Sequence, residues 1–365
     1  MSTALIFLIV VLIMVLIFTY TNGFHDAANA IATVVSTKVL TPRQAVILAA
    51  VTNLIGAMGG VAVAKTVGAG LVDTALITTF TVFCAMLAGT IWNLVTWYYG
   101  IPSSSSHALI GGLIGAALAT ARNNWNVLRW SVEKIDPKTG KLIHDGLYYK
   151  VVIPMLSSPV IGFVGGFLMM GLIFIIIRAW KPVWVNRIFG KAQLVSAAYM
   201  GWAHGFADGQ KTMGIMALAC FAATKSGDLD NIPTWLNFLK TPTFEIHTWV
   251  KWCCAIAMAL GTYIGGWKII ATLGHKLVKL KPVNGFAAEA TGATLLLVAG
   301  KLGMPISTTH AITTAIMGVG MAKRSTALNL IIVERILWTW IFTIPATGLL
   351  AWSLVRVCQA LGWTR

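Results

Sequence analysis

Residues 22–30 read NGFHDAANA and residues 102–108 read PSSSSHA; the same pair returns in the same order as AHGFADGQK at 203–211 and PISTTHA at 305–311. Each string is polar and lies inside otherwise apolar sequence. One such pair could be no more than a helix cap and an interhelical contact. Two copies in one order describe a chain built as two related halves, each with an acidic string and a hydroxyl-rich string.

The surroundings define the solvent. Hydrophobic residues make up 57% of the chain and charged residues 10%, with a mean hydropathy of +0.80, whereas soluble domains carry about a quarter charged residues. This is the composition of an integral membrane protein. Stretches long enough for the roughly 20 residues of a spanning helix run over Ala4–Tyr20, Ala45–Ala64, Ala75–Tyr98, Val151–Ile177, Trp249–Leu273 and Thr326–Val355. Unbroken runs such as LIFLIVVLIMVLIF exclude barrel strands, which alternate apolar and polar positions. The fold class expected is therefore an all-α polytopic membrane protein. Met1–Phe18 lacks a basic leading segment and a small-residue cleavage site, and is read as a retained first helix.

Several other signals carry no function. The five cysteines have no metal-ligand spacing and read as small buried hydrophobes. The formal charge of +16 sits in short loops beside apolar runs, with no solvated basic domain, so nucleic acid is not an expected partner. Tryptophans near segment ends, such as Trp97, Trp180, Trp184 and Trp249, suit the headgroup zone of a lipid bilayer.

No segment is long and polar enough for a soluble domain; Arg122–Lys150 and Lys225–Thr248 are loop-sized. The expected division is a first membrane repeat at 1–177, a basic cytoplasmic linker at 178–191 and a second repeat at 192–365. The linker holds Arg178, Lys181, Arg187 and Lys191 without an acidic residue, and the His275–Lys281 loop holds three lysines and none either. By the positive-inside rule both face the cytoplasm, which makes the two acidic strings run in opposite directions. That is an inverted-topology repeat, and such repeats bind substrate near the bilayer midplane at their shared interface.

Asp26 and Asp208 lie among glycines and small residues in apolar sequence. Intramembrane carboxylates are costly and mark ion or substrate paths. Gly23, Gly205 and Gly209 are expected to let the helix break there, freeing carbonyls to ligate a cation beside Asp26, Asn29, Asp208 and Gln210. The alternative is that each Asp only caps or pairs with a neighbouring helix. PSSSSH and PISTTH read as helix starts, with proline in the first turn and hydroxyls capping free amides. Two helix N-termini aimed at one point form an anion site, with Ser103, Ser104, Ser105, Ser106, Ser307, Thr308 and Thr309 replacing water around a small oxyanion. His107 and His310 either donate to that anion or hold the hairpin, and His25 and His204 either move protons or pack. A carboxylate beside an oxyanion favours one that carries a proton, as phosphate and arsenate do at neutral pH and sulfate does not.

At these four strings the chain resembles the PiT family of inorganic phosphate transporters, over nearly its whole length. The family pattern Gly-Ala-Asn-Asp-x-x-Asn-Ala falls on Gly23 to Ala30, with His25 in place of the first Asn. Gly-Ala-Asn-Asp-Gly-Gln-Lys falls on Gly205 to Lys211, with Ala207 in place of Asn, and the Pro-x-Ser-x-(Thr/Ser)-His strings fall on Pro102–His107 and Pro305–His310. The resemblance, which is to a bacterial branch, implies phosphate uptake by symport with sodium or protons across a bacterial inner membrane, an inverted repeat with broken helices and re-entrant helical hairpins, and a homodimer. Sodium would be held at Asp26 and Asp208. Asn53 and Glu289 match positions where relatives carry paired glutamates, which implies a part in cation or proton coupling.

Two other classes compete. An intramembrane hydrolase would use Ser103 or Ser105 as nucleophile, His107 as base and Asp26 as orienter, but it needs one asymmetric triad and this chain duplicates the whole set. An anion channel tolerates carboxylates poorly. The expectation is a transporter, not an enzyme, with no cofactor beyond its coupling ion.

Overall fold

The first apolar run forms α1 (Thr3–Ser36), opened by Ser2, whose hydroxyl accepts the Leu5 N–H at 3.2 Å. The computed structural model describes residues 2–135, 140, 142–323 and 327–363. After α1 come α2 (Pro42–Ala57) and α3 (Ala62–Lys65), then α4 (Thr79–Tyr98) and α5 (Ser105–Thr120). A small hairpin follows, with β1 (Val132–Ile135) antiparallel to β2 (Leu142–Asp145), and then α6 (Ile153–Ile177). The second half repeats the order with α7 (Pro182–Lys225), α8 (Thr248–Ile264), α9 (Trp267–Ala271), α10 (Pro282–Lys301), α11 (Thr308–Lys323) and α12 (Leu330–Ala360). The hairpin lies in the expected loop 122–150, of which 136–139 and 141 fall outside the described residues, as does Thr326 at the start of the last expected run.

Among the described residues, five helical segments are long and apolar enough to cross a bilayer, and two bent pairs make up to seven. The breaks are at 58–61, where the chain turns by 67°, and at 265–266, where it turns by 60°. The outward face of α6 presents Leu156, Val160, Val164, Leu168 and Leu172 at four-residue spacing, all exposed, as a helix facing lipid does. This is a multi-pass, all-α membrane fold.

Close packing fixes the direction of each helix. Asn53 faces Gly205, Ala57 faces Gly209 and Ala64 faces Gly214, so α2 and α3 run parallel to α7. Tyr20 faces Gly261, Phe24 faces Gly266 and Ala32 faces Gly274, so α1 runs parallel to the α8–α9 pair. Val46 lies beside Gly265 while Asn53 bonds Thr262, so α2 and α8 are antiparallel. It follows that α1 and α7 run in opposite directions. The cores agree. The first part of α1 (Leu5 to Phe18) and the last part of α7 (Met213 to Ala223) share one apolar core. The last part of α1 (Ala28 to Val34) and the first part of α7 (Ala197 to Ala207) share the other. Asp26 and Asp208 lie where each helix passes from one core to the other.

The hairpins swap partners across the halves. α5 packs on α12, where a Cβ on Gly115 would come within 1.9 Å of the Gly348 carbonyl oxygen. α11 packs on α6, where a Cβ on Gly318 would come within 2.0 Å of the Phe163 oxygen. Small residues permit this backbone approach.

Two sequence expectations are corrected. The acidic strings do not break their helices: α1 is continuous over 34 residues and α7 over 44. Their glycines are spent on packing instead, since a Cβ on Gly23 would lie 2.4 Å from the Met258 oxygen and one on Gly205 2.2 Å from the Asn53 oxygen. The stretch 178–191, expected as a basic linker, is helical from Pro182, where α7 begins. The proline of each hydroxyl-rich string stands ahead of its helix rather than in the first turn, with α5 beginning at Ser105 and α11 at Thr308.

Candidate functional site

The starts of α5 and α11 meet the middle of the α1 and α7 strings, and every residue expected there is buried. Ser104 caps α5 by accepting the His107 N–H at 3.1 Å, and Ser307 accepts the His310 N–H at the same distance. Capping leaves the next residues facing the acidic strings. Thr308 donates to Asp208 Oδ2 at 3.0 Å, while Asn29 Nδ2 donates to Thr308 at 3.2 Å and Thr309 at 3.0 Å. Ser103 lies 3.3 Å and Ser105 3.5 Å from the ring nitrogens of His25. That ring also bonds Asp26 Oδ1 at 2.7 Å and Thr96 at 3.0 Å.

Lys211 is a site residue to which the sequence motifs assign no role. Its ammonium donates to Asp208 Oδ1 at 2.5 Å, to the Ile306 carbonyl at 2.7 Å and to Ser106 Oγ. These three acceptors match its three donors and come from α7 and from both hairpin tips. The sequence does carry a signal for it: a lysine inside apolar sequence, three residues after a duplicated Asp and so on the same helix face.

The two aspartates converge. An oxygen of Asp26, an oxygen of Asp208 and a ring nitrogen of His204 lie within 4.8 Å of one another. The hydrogen-bond network assigns the His204 tautomer. Thr262 gives its hydrogen to the Met258 carbonyl at 2.9 Å, so it accepts from Asn53 Nδ2 at 2.9 Å. Asn53 Oδ1 then accepts from His204 Nδ1 at 3.1 Å. In the neutral ring this leaves the Nε2 lone pair beside Asp208, at 3.4 Å. Asp26 Oδ2 and His204 Nε2 are both buried and unbonded. With His204 neutral, two carboxylate oxygens and a nitrogen lone pair form an acceptor-only cluster suited to a cation.

Other expected residues lie elsewhere. Gln210 turns away from the aspartates, donating to the Phe206 carbonyl at 2.7 Å and accepting the Val63 N–H at 3.0 Å, so that it braces the α2–α3 break. Asn53 stands behind His204 rather than in the cluster. Glu289 forms its own buried group, accepting from Thr33 at 2.5 Å, Gln193 at 3.1 Å and Ser196; Ser196 is two helical turns, about 12 Å, before His204 on α7. Asn53 and Glu289 are thus not paired. His107 and His310 stack edge to face with centroids 4.6 Å apart, one from each half. Among the described residues the imidazole that bonds Asp26 and lies beside Ser103 is His25 rather than His107, the base a hydrolase reading assigns.

Comparisons with known proteins agree with this geometry. A model of the phosphate transporter family matches residues 22–351, a span that contains all four strings. The chain is 42% identical over 352 residues to a protein of Bacillus subtilis named probable low-affinity inorganic phosphate transporter, covering 96% of each. It is 41% identical over 344 residues to a protein of the same name from Rhizobium meliloti, covering 92% of each. Among solved structures, one named the sodium-dependent phosphate transporter superposes with a TM-score of 0.80 at 23% identity, covering 97% of this chain and 99% of that one. The last likeness shows the shared fold. With full-length relatives at this identity and the family's model running through both acidic and both hydroxyl-rich strings, the chain belongs to the phosphate transporter family.

Proposed function

We propose that the chain is a secondary active importer of inorganic phosphate, working by symport with a cation and by alternating access around a site at the bilayer midplane. One observation carries this reading: both hairpin tips meet at Asp208, Thr308 directly and Ser106 through the Lys211 that pairs with it, while Ser103 and Ser105 lie beside the His25 bonded to Asp26. Phosphate sits between the tips, held by the hydroxyls of Ser103, Ser105, Ser106 and Thr309 and by free amides at the two helix starts, while Thr308, which gives its hydrogen to Asp208, fixes the second tip beside the anion. Ser104 and Ser307 hold those starts in shape, and His107 and His310 close the gap between them. Neutral donors let the anion leave as well as bind.

Asp26 and Asp208, with His204 and Asn29 beside them, bind the coupling ion. Gln210 and Asn53 act on that site from behind, and Glu289 serves the cation path nearer the start of α7. The likeness in fold to a sodium-dependent phosphate transporter supports sodium as the driving ion; the proton is the alternative. Residues 1–177 and 192–365 act as the two repeats, one rocking against the other. The bacterial relatives support placement in a bacterial inner membrane, where the chain works as a homodimer.

The test is uptake of labelled phosphate into proteoliposomes, with sodium and pH gradients imposed separately. Accumulation against the phosphate gradient under one of them is the expected result. Flux that only runs downhill would replace the symporter with a channel.

A further inference from the structure

We propose that the groove between α4 and α12 seats an anionic phospholipid, with an acyl chain against the two helices and the lipid phosphate at Arg335 and Lys276. The seat is read from the groove alone; only its effect on uptake rests on the transport reading above.

The groove has a volume of about 340 Å³. Trp92 and Val95 of α4, Tyr99 at its cap, and Trp338 and Phe342 of α12 line it, and all but Trp92 of these five are exposed. Exposed apolar side chains alone would say only that lipid surrounds a helix. A concave apolar site walled by aromatic rings and met by a few polar groups is instead the form of a ligand site. Along α12 the lining runs from Arg335 to Phe342, two helical turns or about 10 Å.

The charge is all at one end. A smaller pocket continues the groove, sharing Tyr99, Ile101 and Arg335 with it and adding Lys276. Both cations are exposed, and among the described residues neither has an ion pair. No acidic residue lines either space; Glu334, next to Arg335 in sequence, lies outside both. This end is at the membrane surface. The Asn329 N–H ahead of α12 bonds the Leu277 carbonyl at 3.2 Å, and the Thr272 hydroxyl bonds the Gly100 carbonyl after α4 at 2.9 Å. Both helix ends therefore lie beside the basic 275–281 loop, on the side its lysines mark as cytoplasmic. A guanidinium and an ammonium at headgroup level match a phosphodiester. With no carboxylate there to hold a choline, they favour a lipid of net negative charge over a zwitterion.

The seat also touches the outer wall of the anion site. Thr96 lines the groove, and its hydroxyl lies 2.9 Å from that of Ser103 and 3.0 Å from His25 Nε2. Pro102, which opens the first hydroxyl-rich string, lines the smaller pocket, and its carbonyl accepts the Trp340 N–H of α12 at 3.3 Å. A seated lipid packs against the segment 100–102 and so braces the first hairpin tip from outside.

Binding and transport are measured separately. Protein in detergent is titrated with phosphatidylglycerol, phosphatidylcholine or glycerol 3-phosphate, and the bound molecules are counted by native mass spectrometry. The wild type should bind phosphatidylglycerol roughly tenfold more tightly than phosphatidylcholine, a comparison that requires no variant to fold. Arg335→Gln and Lys276→Gln should each weaken phosphatidylglycerol binding about fivefold, and the double variant should no longer tell the two lipids apart. Arg356→Gln, at the far end of α12, should match the wild type. Equal wild-type affinity for both lipids, or a preference that survives in the double variant, would overturn the seat. Glycerol 3-phosphate binding as tightly as the lipid would replace it with a plain anion site. In proteoliposomes, initial phosphate uptake by the wild type should rise as phosphatidylglycerol replaces phosphatidylcholine, while the double variant should not respond. A wild type indifferent to the exchange would overturn the bracing of the hairpin. A wild type that binds phosphatidylglycerol but moves no phosphate in either membrane would overturn the transport reading and leave the seat in place.

Discussion

Thr308 donates its hydroxyl to Asp208 at 3.0 Å, joining the tip of the second hairpin to the acidic string of its own half, while Asn29 of the first half reaches the same hydroxyl at 3.2 Å. One side chain thus links α1, α7 and α11 at the point where the halves cross. Its loss should weaken substrate binding without unfolding the protein, because Asn29 retains Thr309. Ser105→Ala, which removes a donor to the anion, and Thr308→Ala, which removes the bond that holds the second tip to Asp208, should each raise the phosphate concentration for half-maximal uptake by roughly two- to tenfold, the worth of one hydrogen bond. An unchanged value in both would move the anion away from the hairpin tips.

The aspartates should separate by stability. Asp26→Asn and Asp208→Asn are both expected to abolish phosphate accumulation. Asp208→Asn also strands Lys211, which is 2% exposed, and breaking a buried ion pair costs about 3–5 kcal/mol. Its melting temperature in detergent should fall well below that of Asp26→Asn. Adding Lys211→Met should recover most of the loss, since removing both members of a buried pair is close to neutral. Equal melting temperatures for the two single variants would show that Lys211 finds another counter-charge.

The pattern of legible and hidden features follows from range. Polar strings in an apolar chain report burial and duplication directly, so Asp26, Asp208 and the hydroxyls around Ser105 and Thr308 stand out. Glycine reports only that a side chain is missing. At Gly23 and Gly205 the reason is a neighbouring helix, Met258 on one side and Asn53 on the other, and no local pattern separates that from a helix break. The breaks after Ala57 and Ile264 fall instead on glycine pairs, Gly59–Gly60 and Gly265–Gly266, which a reading by hydropathy alone passes over. α10 does not read as an apolar run because Asn284, Glu289 and several small residues lower its hydropathy, although it is long enough to span. Glu289 meets Thr33 across 256 residues of sequence, a contact that only the fold creates. Lys211 is visible in the sequence, but its meaning depends on which three acceptors surround it.

The exchanged packing of the hairpins gives a prediction remote from the site. Gly115 lies against Gly348 in α12, and Gly318 against Phe163 in α6, with no room for a methyl group in either place. Gly115→Ala and Gly318→Ala should each destabilise the protein by about 1–3 kcal/mol through overpacking. Gly171→Ala has open space around its Cβ and should be nearly silent. Thermal unfolding followed by size-exclusion fluorescence ranks the three. A Gly115→Ala variant as stable as Gly171→Ala would contradict the close approach of α5 and α12.

Selectivity among tetrahedral anions tests the carboxylate beside the hydroxyls. Thr308 already gives its hydrogen to Asp208, and the Lys211 ammonium spends all three of its hydrogens on protein acceptors. An anion entering between the tips therefore meets acceptor oxygens as well as donors. Phosphate near neutral pH keeps a proton that it can donate to such an oxygen, and arsenate does the same at nearly the same size. Sulfate has none, so two acceptors would face each other, and a buried acceptor left without a donor costs about 1–3 kcal/mol. Sulfate should therefore compete with labelled phosphate at least roughly fivefold more weakly than arsenate does. Equal competition by sulfate would mean that the carboxylates are screened from the anion, and selectivity would then have to arise from charge or size alone.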